Sequence, residues 1–267
     1  MRSKFASLPR RQSPGVLCWF SCGAASACVA KLASQEFGSE LELVYCDTMA
    51  TEHPDNQRFL EDVERWVGLP VKRLHSLRYE DVDDCFEKRK ILSTKFGAPC
   101  TVEMKKRVRF EYQHAADLHL FGMTADEGQR AKRFETNNPE LRLRWLLIEA
   151  GLTKAACLQM IRAAGIEVPA MYQLGYKNNN CIGCVKATSP AYWNKIRADF
   201  PEVYERRVDQ SRRLNSRLVR INGERCFLDQ LQPSNVEVVD EDLSCGPQCG
   251  GMQTEFNFGF EPQAQAI

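Results

Sequence analysis

The sequence predicts an α/β protein built on a parallel sheet, followed by a smaller helical, cysteine-containing C-terminal extension. Three observations carry this reading. Short apolar runs alternate with longer amphipathic segments through roughly the first 125 residues, the pattern of successive βα units. A small-residue turn joins the first run to the first amphipathic segment. Beyond it, cysteine pairs fall in loop-like sequence among helical segments.

The apolar run Val16–Phe20 reads as the first strand, residues 21–26 as a turn, and Ala24–Phe37 as a helix burying Cys28, Leu32 and Ala33. Leu41–Cys46 is the second strand. Residues 54–67 form the next helix, with Pro54 in the first turn, where its missing N–H has no intrahelical partner to lose. Gly68-Leu69-Pro70 ends it, Val71–Leu74 is a third strand, and helices follow over 79–92 and 101–112. Residues 117–121 add a strand that stops at Gly122.

The pattern then turns helical, with helices predicted over 140–150 and, capped by Thr153, over 153–164. Further helices cover 190–198 and 201–216, and Asn222-Gly223 joins strands 218–221 and 225–228 into a hairpin. This organisation predicts an α/β domain over 14–175, an extension over 176–252, and flexible tails at 1–13 and 253–267.

The chain of 267 residues carries 36 Lys+Arg against 35 Asp+Glu, so no global field selects a polyanionic partner. Its 43% hydrophobic content is enough for one sizeable core and excludes a largely disordered chain. The 12 cysteines occur without a secretory leader, which predicts a reducing, cytoplasmic setting, and no segment reaches the roughly 20 apolar residues of a membrane span. A local basic stretch over 195–225, with nine Lys+Arg, five Asp+Glu and Tyr204, keeps nucleic acid in view as a partner, although a solvated helix face is the better explanation of such a run.

The turn Ser21-Cys22-Gly23-Ala24-Ala25-Ser26 follows a strand and opens a helix. Backbone N–H groups, the Ser21 and Ser26 hydroxyls and the positive helix end are then free to face phosphate or sulfate oxygens, with Gly23 allowing close approach. The glycine spacing and the Gly-Lys-Ser/Thr ending of a Walker A loop are absent. Asp47 and Thr48 follow the second strand, where a carboxylate and hydroxyl suit a nucleotide or its Mg2+, and His53 before Pro54 is a further pocket candidate. Lys105, Lys106 and Arg130 are candidate anion contacts, and Gly122 permits close approach at a strand end. Each also has an ordinary reading as a polar boundary, a local cap or a charged helix face.

Cys181-Ile182-Gly183-Cys184 places two thiols in one tight loop, and Cys245-Gly246-Pro247-Gln248-Cys249 places two more in another. Four thiolates make a tetrahedral zinc site or bind an iron–sulfur cluster, and Cys226 is an alternative ligand or redox group. Redox or sulfur-transfer thiols are the competing reading.

Taken in order, the loop at 21–26, Asp47-Thr48, the 51–54 segment, Cys100 with Lys105-Lys106, Gly122 to Arg130, and Asn180-Cys181-Ile182-Gly183-Cys184 resemble the phosphoadenosine phosphosulfate reductase family, within the adenine-nucleotide alpha-hydrolase-like superfamily, and its phage or bacterial relatives. The resemblance covers roughly residues 14–200. It implies that residues 21–26 are the pyrophosphate loop and that Asp47-Thr48 lies near the nucleotide. Because cysteines near the Cys100 position serve the iron–sulfur site of one reductase branch, it also makes Cys100 an alternative to Cys245 and Cys249 as the partner of Cys181 and Cys184. The loop departs from the usual Ser-Gly-Gly-Lys-Asp-Ser at Cys22, Ala24 and Ala25, and the C-terminal Glu-Cys-Gly-Leu-His pattern that carries the reductase nucleophile is missing. The expected function is an adenine-nucleotide-dependent reductase-like or sulfur-transfer enzyme acting on a nucleotide or sulfonucleotide, with a thioredoxin-like reductant or sulfur donor. An ATP-dependent nucleic-acid-modifying enzyme and a non-enzymatic nucleotide and metal-binding module are the alternatives.

Overall fold

Apolar runs too short for helices and buried on both faces become the strands of one parallel sheet. The computed structural model describes residues 10–94, 97–241 and 243. Its main sheet contains β1 (Val16–Phe20), β2 (Leu41–Cys46), β3 (Val71–Leu74), β4 (Leu118–Phe121) and β5 (Arg142–Arg144), in the order β3-β2-β1-β4-β5, with every pairing parallel. β1 is the central strand, and all five of its residues are buried.

Alternation along β1 divides the core. Val16, Cys18 and Phe20 point to the face covered by α1 (Ala24–Phe37) and α2 (Asn56–Val67), while Leu17 and Trp19 join the aromatic layer on the other face. After β3 come α3 (Val82–Arg89) and a π-helical stretch, Thr101–Lys106, that runs directly into α4 (Arg107–Tyr112). α4 and α5 (Gly128–Asn137) bury Val108, Tyr112, Ala131 and Phe134 in the second layer. On the first face, α6 (Leu146–Glu149) and α7 (Lys154–Ala163) pack Leu147, Cys157 and Ile161 into the layer that also holds α1.

The remaining elements are α8 (Ala170–Gln173), α9 (Pro190–Asp199), α10 (Pro201–Arg213) and an antiparallel hairpin of β6 (Val219–Ile221) and β7 (Glu224–Cys226). Asn222 and Gly223 both take positive φ, 48° and 87°, as a two-residue hairpin turn requires. A third core joins α9, α10 and the Cys181 loop to Val82, Phe86, Leu92 and Met104. The extension therefore shares its core with the segment before β4. Among the described residues, no helix is long and apolar enough to cross a membrane.

Two expectations change. In place of one helix over 140–150, Arg142–Arg144 adds to β4 as an edge strand in register Leu118↔Arg142, and only Leu146–Glu149 is helical. Pairing to an open sheet edge outweighs the weak local helical preference of so short a segment. α5 had no counterpart in the sequence reading; it grows from a capping turn in which the Glu127 carboxylate accepts the Thr124 N–H at 3.0 Å.

Candidate nucleotide and cysteine site

The strand order reverses between β1 and β4, because the chain builds β2 and β3 on one side of β1 and then crosses to the other. The loops leaving those two strands diverge, and the crevice between them is where open α/β sheets take ligands. A cleft lies there, lined by Ser21, Gly23, Ala25, Ser26 and Gly122 from the strand ends and by Lys105, Arg130 and Lys154 around them.

The loop after β1 is folded by its own side chains. Ser26 Oγ accepts the Ser21 N–H at 3.1 Å and donates to the Gly23 carbonyl at 2.9 Å, and the two serine hydroxyls lie 3.2 Å apart. Ser26 thus closes the turn, while Ser21 presents a hydroxyl at its mouth. Cys22 sits at φ 54°, in the left-handed region that glycine tolerates and other residues occupy at a cost of order 1–3 kcal/mol. Gly23 caps α1, whose first-turn N–H groups have no intrahelical acceptor. One of them, Ala24 N–H, donates to the Tyr172 hydroxyl at 3.2 Å.

Gly122 owes its identity to packing. A Cβ built there would lie 2.7 Å from the Ser26 amide nitrogen and 3.0 Å from its Cα, so β4 meets the first turn of α1 backbone to backbone. That closeness brings the turn after β1 and the β4 exit into one wall of the cleft.

Positive charge enters from several elements. Lys105, buried in the π-helical stretch, Arg130 from α5, Lys154 at the start of α7, and Lys177 all line the cleft, against Glu52, Asp126 and Glu127. Arg130 is ion-paired with Glu127, and Lys177 Nζ lies 2.8 Å from Asp240. Lys154 donates to the Lys177 carbonyl and to Asn178 Oδ1, and lies 5.6 Å over the Tyr172 ring. Burial pushes the Tyr172 phenol up to about 12, so it remains a neutral hydrogen-bonding group at physiological pH.

A buried polar chain connects the cleft to the cysteine loop. Glu52 accepts the Thr48 hydroxyl at 2.6 Å and Asn56 Nδ2 at 2.7 Å; Asn179 Nδ2 donates to Asn56 Oδ1 and to the Cys22 carbonyl, each at 2.7 Å. On the other side, the Thr51 hydroxyl lies 3.3 Å from Cys181 Sγ, and the Ile182 N–H donates to the Thr51 carbonyl at 2.9 Å. The cysteine loop is further held by the Tyr192 hydroxyl, which accepts the Cys184 N–H at 2.8 Å, and by Arg207 Nε, which donates to the Gly183 carbonyl at 3.0 Å.

Ser21, Gly23, Ser26, Gly122, Arg130 and Lys105 therefore come together, whereas Asp47, Thr48, His53 and Lys106 do not line this cleft. Asp47 accepts the Met49 N–H at 2.9 Å and faces His75 at 3.6 Å. Thr48 holds Glu52, and His53 accepts the Asp55 N–H at 3.1 Å with its ring against Phe200. The sequence reading missed Glu52, Lys154, Tyr172 and Asn179. Asn179 is part of the Asn178-Asn179-Asn180 run before Cys181, and Glu52 lies in the 51–54 segment that carries the resemblance, which were signals; Lys154 and Tyr172 carried none.

Cys100, Cys181 and Cys184 are all buried in one apolar cluster, and Cys226 is half-buried at the end of β7. Cys245 and Cys249 lie outside the described residues. Among the described residues, no group of three or more His, Cys, Asp or Glu side chains is arranged to hold a metal ion. Burial pushes the Cys22 thiol far up, with Glu52 adding to the rise, so Cys22 stays protonated at neutral pH despite its place in the loop.

The basic stretch is mostly used inside the protein. Arg206 and Arg207 pair with Asp83, Arg212 with Asp229, Arg213 with Glu87 and Asp209, and Lys195 with Asp199. Two of these partners, Asp83 and Glu87, lie on α3, so the arginines of α10 fasten it to that helix.

Searches against protein-family models and against curated proteins returned no match.

Proposed function

We propose that this protein is an adenine-nucleotide-dependent enzyme of the reductase-like or sulfur-transfer type, similar in scaffold to the phosphoadenosine phosphosulfate reductase family. One observation carries the reading: a serine-bearing strand-to-helix turn at the β1/β4 switch point, with lysine and arginine side chains converging on the same cleft. A nucleotide or sulfonucleotide would set its phosphate or sulfate oxygens against the first-turn N–H groups of α1 and the Ser21 hydroxyl. Lys105, Arg130 and Lys154 would balance its charge. Glu52, Asp126 and Glu127 are the carboxylates that line the cleft for a nucleotide-bound Mg2+ in this reading.

Support for zinc or an iron–sulfur cluster comes from Cys181 and Cys184, two thiols held three positions apart in one loop tied down by Tyr192 and Arg207. Cys181 and Cys184 would supply two ligands, with the remainder from Cys245, Cys249 or Cys100 and Cys226 as the alternative. Zinc there would be structural or activate a thiolate; a cluster would supply or receive electrons. Reducing equivalents or sulfur would come from a thioredoxin-like protein or a sulfur donor. The intramolecular pairing of the α10 arginines gives the basic stretch a structural use, so it adds little weight to the alternative of a nucleic-acid substrate.

The test is anaerobic purification with iron, sulfide and zinc measured alongside mass spectrometry of bound nucleotide, then turnover of a sulfonucleotide compared with ATP-dependent modification of RNA. Sulfonucleotide turnover with metal-loaded protein is the expected result. Nucleotide binding with neither turnover would replace the enzyme reading with a binding module.

A further inference from the structure

The Cys22 carbonyl is fixed by a side chain from far along the chain, Asn179, and the consequence falls on the next residue. A trans peptide plane holds its N–H opposite its C=O, so anchoring the Cys22 carbonyl also fixes the direction of the Gly23 N–H. Gly23 lines the cleft and caps α1. We infer that Asn179 is a positioning residue that orients the Cys22–Gly23 peptide as a donor for an anionic ligand group, an inference that rests on the nucleotide-cleft reading.

Three features support it. Asn179 uses Nδ2 for two acceptors, the Cys22 carbonyl and Asn56 Oδ1, both at 2.7 Å, while its own Oδ1 is buried without a hydrogen-bond partner among the described residues. Turning the amide over would place three oxygens together, so Asn179 is held in its donating sense. Asn56 is in turn oriented by Glu52, which accepts its Nδ2 at 2.7 Å, and is fully buried. Finally, Cys22 is held at φ 54°, a conformation that a residue with a Cβ leaves when nothing anchors it. The anchored carbonyl and the strained φ belong to one residue, on either side of the Cys22 Cα: the hydrogen bond from Asn179 opposes the relaxation that would turn the Gly23 N–H away.

The strain separates positioning from simple stabilisation. Asn179→Ala should weaken binding of ADP by about tenfold, the effect of losing one well-placed donor to a charged group. Adding Cys22→Gly should recover about threefold of that loss, because glycine occupies the left-handed region without penalty. A purely structural Asn179 would lower stability without any recovery of affinity from a change at Cys22.

The experiment titrates ADP calorimetrically into the full-length wild type, N179A and N179A/C22G, and follows the Gly23 amide resonance in protein labelled with 15N-glycine. The expected outcome is a displaced Gly23 resonance in N179A, with weakened ADP binding partly restored in the double variant. A folded N179A with an unmoved Gly23 resonance, or a double variant no tighter than N179A, overturns the inference. Should N179A not fold, N179S keeps one shorter donor and is judged by the same two readouts. If the wild type binds no ADP, the nucleotide reading fails, and the Gly23 resonance alone decides whether Asn179 orients the peptide.

Discussion

The Thr51 hydroxyl lies 3.3 Å from Cys181 Sγ while the Thr51 carbonyl accepts the Ile182 N–H at 2.9 Å, so one threonine touches the cysteine loop with both side chain and backbone. The same hydroxyl lies 3.0 Å from the Thr48 carbonyl, in the turn that also orients Glu52. Thr51→Val keeps the shape and removes both polar contacts. It should cost about 1 kcal/mol, the usual net value of a buried hydrogen bond, and expose Cys181 to faster alkylation. Urea denaturation with timed thiol labelling checks both; unaltered labelling would mean the threonine does not hold the cysteine loop.

Gly122 has no room for a side chain. Gly122→Ala must move α1 away from β4, since the added carbon would meet the backbone of Ser26 at 2.7 Å. We expect a loss of about 1–3 kcal/mol of stability, in the range of overpacked cores, together with weaker nucleotide binding as the loop shifts. A variant as stable as the wild type would show that this contact relaxes freely.

Ser21 and Ser26 divide their work, one presenting a hydroxyl and the other closing the turn. Replacing both with alanine should weaken nucleotide binding by about tenfold or more, as expected when hydrogen bonds to a charged group are lost. Metal content should not change. Calorimetric titration and elemental analysis of the same sample test the two halves, and unchanged binding would remove the serines from the phosphate site.

Cys181→Ser combined with Cys184→Ser should reduce zinc or iron retention in protein purified without oxygen, because serine is a poor ligand for either metal at neutral pH. Stoichiometry equal to the wild type would assign the metal to other cysteines.

His119 makes acid stability a test of the sheet core. It is stacked beside Trp19 and Phe121, accepts Trp19 Nε1–H at 3.0 Å, and is pushed down to about 3 by burial and then by nearby Arg109. The folded state binds its proton later than the unfolded chain, whose histidine titrates near 6.5. Stability from this group is therefore full above pH 6.5 and declines as pH falls toward 3, by roughly 2–3 kcal/mol at pH 4.5. His119→Gln should flatten that part of the profile relative to wild type in urea denaturation. Equal slopes would mean that His119 becomes protonated inside the fold without penalty.

Much of the fold was legible in local pattern. Val16–Phe20 followed by a small-residue turn and Ala24–Phe37 reads as strand, loop and helix because five apolar residues in a row need burial on both sides, and α1 occupies the expected residues. β5 was not legible: Arg-Leu-Arg has no strand signal until β4 offers it an edge. Of the site, residues 21–26 and Gly122 were visible as turn chemistry, whereas Tyr172 and Asn179 reach the α1 terminus from about 150 residues away.

Local sequence was sufficient for the strand–turn–helix units, the parallel α/β class and the cysteine pair at 181 and 184, since periodicity and turn residues act over a few neighbours. Tertiary structure alone decided the strand order, the polar chain from Thr48 to the Cys22 carbonyl, and the fate of the α10 arginines. In sequence those arginines read as a charged helix face, and only the fold shows that Asp83 and Glu87 of α3 are their partners. Charge pairing and donor direction depend on which distant groups the fold brings within about 3 Å, and that distance is not written in the order of the residues.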